Sequence, residues 1–268
     1  MIIAVDIGNT CIKCGIMLPG GTCKVTSNPI PKDTKIREEF VRDLIQWHAL
    51  SESETSTPIL WRVAQTGSFS WKKVQTAILQ IRPLDRFEIL SHQQIPLKMD
   101  VEAPEKVGID RLLAAFAAVK IQGNSPVLVV DAGTAITIDA VQNQTFCGGA
   151  ILPGLPTQAE TYPKVSKKLP LIQFSCDFIM KPGSPGKNTE DAIQNGTYWG
   201  TIGAIRFFYD LFFPPQKKKV QLLVTGGDAK LLVPGLVRVI PFERMRYHPS
   251  LVLEGIDQLP VDDSDSAR

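Results

Sequence analysis

The chain predicts an α/β protein of two domains, each a mixed sheet flanked by helices and each a copy of the same pattern. Three observations predict it. An apolar strand, an acid-glycine turn and a second strand occur twice, around Asp6-Ile7-Gly8-Asn9-Thr10 and around Asp131-Ala132-Gly133-Thr134. Strand-like and helix-like hydrophobic periods alternate between the two copies. The length of 268 residues, with 44% hydrophobic and 21% charged, suits two ordinary globular domains.

Taken in order, residues 2–5 read as a buried strand and residues 11–18 as its partner. Gly8 and Asn9 are expected to supply the positive φ of a tight hairpin between them. Gly20-Gly21 turns the chain into a third strand near residues 22–26. In residues 36–50, Phe40, Val41, Leu44, Ile45 and Trp47 recur at helical spacing, and a serine-rich stretch ends the pattern. Residues 59–64 read as a strand and residues 71–81 as an amphipathic helix stopped by Pro83. The turn-rich Gln122-Gly123-Asn124-Ser125-Pro126 is the expected boundary, giving domains 1–121 and 122–268. The polar end, residues 262–268, is expected to be disordered.

Charge excludes some classes. The 29 basic residues against 27 acidic ones leave a net charge of +2, so nothing points to nucleic acid or an anionic membrane. Lys217-Lys218-Lys219 reads as a solvated loop entering a strand. An acid at Asp6 and no basic n-region argue against a signal peptide, and no apolar run approaches the ~20 residues of a span. A cytoplasmic protein is expected. Its five cysteines (Cys11, Cys14, Cys23, Cys147, Cys176) are an odd set without a secretory context, so a disulfide framework is not expected. Cys11 and Cys14, three apart on a strand, point to opposite faces and cannot clasp one metal. His48, His92 and His248 are scattered, with no spacing for a nucleophilic triad or a metal.

The chemistry sits in short turns. Asp6-Ile7-Gly8-Asn9-Thr10 followed by Lys13 offers backbone N–H groups, a hydroxyl and a cation to phosphate, with Asp6 placed to hold a hydrated Mg²⁺. An ordinary hairpin turn would look the same. Its second copy, Asp131 to Thr137, favours the phosphate reading, because a triphosphate held between two domains needs a grip from each. Thr225-Gly226-Gly227-Asp228 is a third glycine turn, suited to close backbone approach beside adenosine or to a plain strand-to-helix connection. In Gly108-Ile109-Asp110-Arg111 the acid alone would read as a helix N-cap. Arg111 opposes the helix dipole there and is better explained by an anionic ligand, while Asp110 could take a proton from a hydroxyl. Thr189, after Gly186-Lys187-Asn188, reads equally as a helix cap or a substrate contact. Gly148-Gly149-Ala150-Ile151-Leu152-Pro153-Gly154 is a strand ending in a Pro-Gly turn. Walker A, Rossmann and protein-kinase motifs are all missing from the sequence.

In order, the motifs D-x-G-N-T, G-x-D-R, D-x-G-T-A-x-T, G-G-x-I-x-P-G, N-T-x-x-A-I-x-x-G and T-G-G-D resemble a type III pantothenate kinase of the acetate and sugar kinase, Hsc70 and actin superfamily. The resemblance covers residues 6–227. It implies two ribonuclease-H-like domains with ATP in the interdomain cleft and a homodimer with substrate at the subunit interface. It implies ATP phosphate contacts from Asp6, Ile7, Gly8, Asn9, Thr10, Cys11, Ile12 and Lys13, and another from Thr134. Gly108, Ile109, Asp110 and Arg111 would hold pantothenate, with Asp110 as general base on its primary hydroxyl and Thr189 as a further contact. Asp131 would bind a monovalent cation, K⁺ or NH₄⁺, and Asp6 Mg²⁺ through water. The product would be 4′-phosphopantothenate, the first intermediate toward coenzyme A. Val101 stands where the family often carries a tyrosine packed on pantothenate. The rival readings are a kinase of another small hydroxy acid and a non-catalytic regulator that kept the fold; the second would be expected to lose Asp110, Arg111 or a phosphate turn, and all are present.

Overall fold

The structure is a computed structural model that describes residues 1–18, 23–30, 57–67, 69, 71–174, 184–214 and 220–260. The helix expected over residues 36–50, the lysine run, Cys176, the Gly20-Gly21 turn and the polar end lie outside the described residues. The chain groups into two compact units, residues 1–96 with 105–117 and 252–268, and residues 97–104 with 118–251.

The first unit is built on a mixed sheet of β1 (Ile2–Ile7), β2 (Cys11–Met17), β3 (Cys23–Pro29), β4 (Leu60–Gln65) and β5 (Arg86–Ile89), in the order β3-β2-β1-β4-β5. β1, β2 and β3 pair antiparallel, while β4 and β5 run parallel to β1. Between β4 and β5 the amphipathic helix α1 (Trp71–Ile81) makes the crossover that a parallel pair requires. Strand alternation sends Ile3, Val5, Ile7, Trp61 and Val63 to the α1 face, where they share a core with Trp71, Val74 and Ile78. Trp61 stacks on Phe87 with centroids 6.1 Å apart.

The opposite face of this sheet carries Ala4, Asp6, Lys13, Gly15 and Arg62. It is covered by α7 (Leu251–Asp257), whose Leu253 closes on Gly15 so tightly that a Cβ there would lie 3.0 Å from its methyl carbon. α7 in turn packs backbone to backbone on α2 (Ile109–Gln122), because Gly255 admits Leu113 where any side chain would collide. Arg62, with 0% exposure, caps the C-terminal end of α7 through Nη1 to Leu259 O at 2.6 Å and Nη2 to Pro260 O at 2.8 Å. Its Nε pairs with Glu88 at 2.8 Å.

The second unit repeats the plan. β7 (Val127–Ala132), β8 (Ala135–Gln142), β9 (Thr145–Pro153), β10 (Gln221–Thr225) and β11 (Met245–Tyr247) lie in the order β11-β10-β7-β8-β9, the same topology as β5-β4-β1-β2-β3. β6 (Lys98–Met99) adds a short parallel edge beside β9. The short helices α3 (Leu155–Ala159) and α4 (Tyr162–Val165) precede the long α5 (Thr189–Phe212), and α6 (Ala229–Leu236) crosses from β10 to β11. Tyr198, Ile202, Ile205 and Tyr209 of α5 meet Leu128, Val130, Leu222 and Leu232 in one core.

Two turns differ from expectation. Neither Gly8 nor Asn9 has a positive φ, since such residues among those described are Gly123, Asn143, Gln144, Gly148 and Gly226. The pairing Ile7↔Ile12 leaves residues 8–11 as the loop, long enough to turn through right-handed backbone, and Gly8 N–H donates to Cys11 O at 3.1 Å to close it. The two-residue hairpin that does need left-handed backbone is Asn143-Gln144, between β8 and β9, with φ of 51° and 58°.

Candidate active site

The register of β1 and β2 pairs Asp6 with Lys13, so both side chains leave the same face of the sheet. Asp6 is 8% exposed at the end of β1. The turn between them is braced from the neighbouring parallel strand: Thr66 N–H and Gly67 N–H both donate to Ile7 O, at 3.0 and 3.2 Å. Gly67 lies so close against Gly8 O that only glycine fits. Cys14 shares the strand but is fully buried, and burial with the nearby Asp6 charge pushes its thiol far up, so it stays protonated.

Asp110 and Arg111 occupy the first turn of α2. Asp110 stands inside the helix, two residues past the N-cap position at Gly108, and its Oδ1 accepts the Arg111 N–H at 2.9 Å. The carboxylate folds back over Gly108: a Cβ there would lie 2.5 Å from Oδ1. Burial is the largest influence on this carboxyl and pushes it up, while the Arg111 N–H and the charges of Arg111 and Lys13 pull it down. Lys13 is therefore within electrostatic reach of Asp110. The first unit thus holds both the Asp6 to Lys13 turn and the Gly108 to Arg111 turn.

In the second unit the D-x-G turn has the same kind of brace. Gly226, with φ of +96°, lies against Asp131 Oδ1 and the Ala132 backbone, and Asp228 N–H donates to Ala132 O at 2.9 Å. The Thr225-Gly226 pair at the end of β10 is the counterpart of Thr66-Gly67 just after β4. A further clamp comes from the G-G-x-I-x-P-G stretch. Thr134 O accepts Gly154 N–H at 2.9 Å and the Thr157 hydroxyl at 2.7 Å, which leaves the exposed Thr134 side chain on a rigid loop. Thr189 is the first residue of α5 and is exposed, and the cap is Asn188, whose side chain accepts Asp191 N–H at 2.8 Å. Val101 lies beside Gly148 of β9, 3.5 Å from where a Cβ would stand.

Sequence reasoning missed three parts of this arrangement: Thr66-Gly67, the Arg62 cap on α7, and the close approach of Gly255 to α2. The first had a visible signal, a Thr-Gly pair at the end of a strand, repeated at Thr225-Gly226. The other two join residues far apart in the chain and leave no local pattern.

Among the described residues, no group of three or more His, Cys, Asp or Glu side chains could hold a metal by itself. The donors present are single carboxylates at strand ends. That set fits a largely hydrated Mg²⁺ at Asp6, since Mg²⁺ keeps several waters and takes one or two carboxylates with phosphate oxygens. At Asp131 the donor is again a single carboxylate, whose hard oxygens suit a hard cation. Among the described residues, no helix is long and apolar enough to cross a membrane.

Comparison with known proteins agrees with the motif order. Residues 2–210 match the family model for type III pantothenate kinase. A type III pantothenate kinase of Sulfurihydrogenibium sp. is 31% identical over 239 residues, covering 87% of this chain and 90% of its own. One from Agathobacter rectalis is 30% identical over 266 residues, covering 96% and 95%. Among solved structures, a Baf family protein of Campylobacter jejuni superposes with a TM-score of 0.59 at 21% identity, covering 96% of each chain. The (R)-2-hydroxyglutaryl-CoA dehydratase component A of Acidaminococcus fermentans does so with 0.52 at 12% identity, covering 95% of this chain and 94% of its own. Both share the fold of two ribonuclease-H-like domains. By its family match and its curated relatives, the chain belongs to the type III pantothenate kinase family.

Proposed function

We propose that this protein transfers the γ-phosphoryl group of ATP to the primary hydroxyl of pantothenate, giving 4′-phosphopantothenate at the start of coenzyme A synthesis. What supports the proposal is that Asp6 and Lys13 leave one face of the first unit's sheet and that the charge of Lys13 reaches the Asp110 carboxylate. Phosphoryl transfer asks for placement and charge neutralisation more than covalent chemistry, and these groups supply both. Asp6, Ile7, Gly8, Asn9, Thr10, Cys11, Ile12 and Lys13 would hold the ATP phosphates, with Thr134 as a second grip. Gly108, Ile109 and Arg111 would hold pantothenate, the guanidinium facing its carboxylate. Asp110 would take the hydroxyl proton as that oxygen bonds to the γ-phosphorus and the bond to the β-phosphate oxygen breaks, releasing ADP.

Mg²⁺ at Asp6, through water, would neutralise charge on the phosphates. A monovalent cation, K⁺ or NH₄⁺, would lie at Asp131. The reading places the enzyme in the cytoplasm, where thiols such as the buried Cys14 stay reduced.

The protein would act as a homodimer, with Thr189 meeting the substrate near the subunit interface. A stripe along α5 supports this. Gly196, Gly200 and Gly203 have open space above their Cα atoms, and Phe207 (61% exposed) and Leu211 (55%) continue the same face at helical spacing. Small residues followed by large exposed apolar ones suit close packing of two helices.

The test is ADP release from MgATP with and without pantothenate, in potassium and in sodium. Pantothenate-dependent release that needs potassium is expected, and Asp110→Asn should lose most turnover while ATP binding, measured by calorimetry, stays within about twofold. Release that ignores pantothenate in both buffers refutes the assignment. Full turnover of Asp110→Asn removes Asp110 as the base.

A further inference from the structure

The loop that aims Asp110 is held from outside the motif. His92 Nε2 lies 2.7 Å from Val107 O, the carbonyl immediately before Gly108. A carbonyl only accepts, so Nε2 carries the proton in this contact. The peptide it grips leads straight into the turn: Gly108 O accepts Arg111 N–H at 3.1 Å and Leu112 N–H at 3.3 Å, starting α2. Asp110 Oδ1 rests over the Gly108 Cα. A rotation of the 107–108 peptide therefore moves the carboxylate.

His92 is itself anchored. It opens a single 3₁₀ turn, His92–Gln94. Gln94 Oε1 accepts Ser91 N–H at 2.7 Å, and Gln94 Nε2 donates to Glu88 Oε1 at 2.6 Å. The other oxygen of Glu88 is held by the buried Arg62 at 2.8 Å. Polar contacts thus tie the turn that carries His92 to the sheet interior, and His92 in turn ties it to the backbone that presents Asp110. All of these residues belong to the first unit.

We propose that His92 is a positioning residue for phosphoryl transfer, acting through the Val107 carbonyl to set the direction of the Asp110 carboxylate. The proposal rests on the reading of Asp110 as the base. His92 touches neither substrate in this scheme; it fixes the group that does. Misplacing a reacting group by about 1 Å costs on the order of 100-fold in rate, so a lost anchor at one remove should cost about 10- to 100-fold.

The experiment uses the full chain. His92→Phe keeps a planar ring and removes the donor, and His92→Gln returns an N–H at the same reach. His92→Phe should lower kcat with pantothenate about 10- to 100-fold and leave the KM for ATP within about twofold, while His92→Gln recovers to within a few-fold of wild type. The decisive readout is the double variant with Asp110→Asn. If His92 works through Asp110, His92→Phe adds little further loss in that background, because the group it aims is gone. Equal fractional losses in both backgrounds, or unchanged kcat in the single variant, overturn the positioning role while leaving the kinase reading intact. A wild-type enzyme without pantothenate-dependent turnover overturns the kinase reading and the role of His92 with it.

Discussion

Arg62→Met should loosen the first unit by about 3–4 kcal/mol. Arg62 is 0% exposed, and its guanidinium makes three short contacts, to Glu88 at 2.8 Å, Leu259 O at 2.6 Å and Pro260 O at 2.8 Å. Hydrogen bonds from a charged donor contribute about 1.5 kcal/mol each at the low end, which gives about 4–5 kcal/mol for the three. Methionine refills most of the volume occupied by the alkyl stem, and Glu88, at 22% side-chain exposure, recovers some hydration. The net figure falls within the range for removing one partner of a buried ion pair. At about 2–4 °C per kcal/mol for a chain of this size, the melting temperature should drop by about 6–16 °C. Urea unfolding followed by the fluorescence of Trp61 and Trp71 reads this unit, since both lie in its core. Arg62→Lys, which keeps the charge and loses the fork, should fall between the two. A loss under about 1 kcal/mol for Arg62→Met refutes the view that this cap holds α7 on the sheet. Full recovery by lysine would show that charge, rather than the directed contacts, carries the effect.

Three further outcomes follow from particular residues. Gln144→Gly should stabilise the protein by about 1 kcal/mol in the same urea assay, because Gln144 sits at φ of 58° where glycine meets no Cβ penalty. The gain will be smaller to the extent that the Gln144 Nε2 bond to Asn124 at 2.7 Å is stabilising. Turnover needs Asp110 ionised, so it is present above the pKa of that carboxyl and lost as pH falls through it. Burial pushes this pKa up, and the acid limb of kcat/KM for pantothenate should lie above the ordinary aspartate range; Lys13→Met, removing a cation that pulls it down, should shift the limb further upward. Gly200→Arg places a long charged side chain in the open face of α5; if that face forms the proposed dimer, sizing by light scattering should show a dimer for the wild type and a folded monomer for the variant.

Much of the architecture was legible in the sequence because it is written in local periods. Helix α1 lies at residues 71–81 as its apolar spacing predicts, and the two strands expected around the Asp131 turn are present as the antiparallel pair Val127–Ala132 and Ala135–Gln142. The duplication inferred from two D-x-G turns reappears as two sheets with the same strand order. Cap chemistry was harder to read. Thr189 and Asp110 each resembled a helix cap, whereas Asn188 caps α5 and Asp110 lies within α2, since adjacent polar residues compete for one position and only the backbone path decides between them. The positive φ expected at Gly8 and Asn9 belongs instead to Asn143 and Gln144, because loop length, set by strand register, selects the turn.

The order of motifs along the chain was enough to determine the family, the duplicated α/β plan and the residue types available for phosphate and proton chemistry. These are properties of neighbours in sequence. Only the tertiary structure decided that the charge of Lys13 reaches Asp110, that Thr66-Gly67 and Thr225-Gly226 brace the two turns, and that Arg62 and His92 hold α7 and the Asp110 loop. Those contacts join residues 15 to nearly 200 positions apart, as in the Arg62 bond to Pro260 across 198 positions. Their partners are met only when strands register and helices pack, and no single residue carries a trace of the one it will touch.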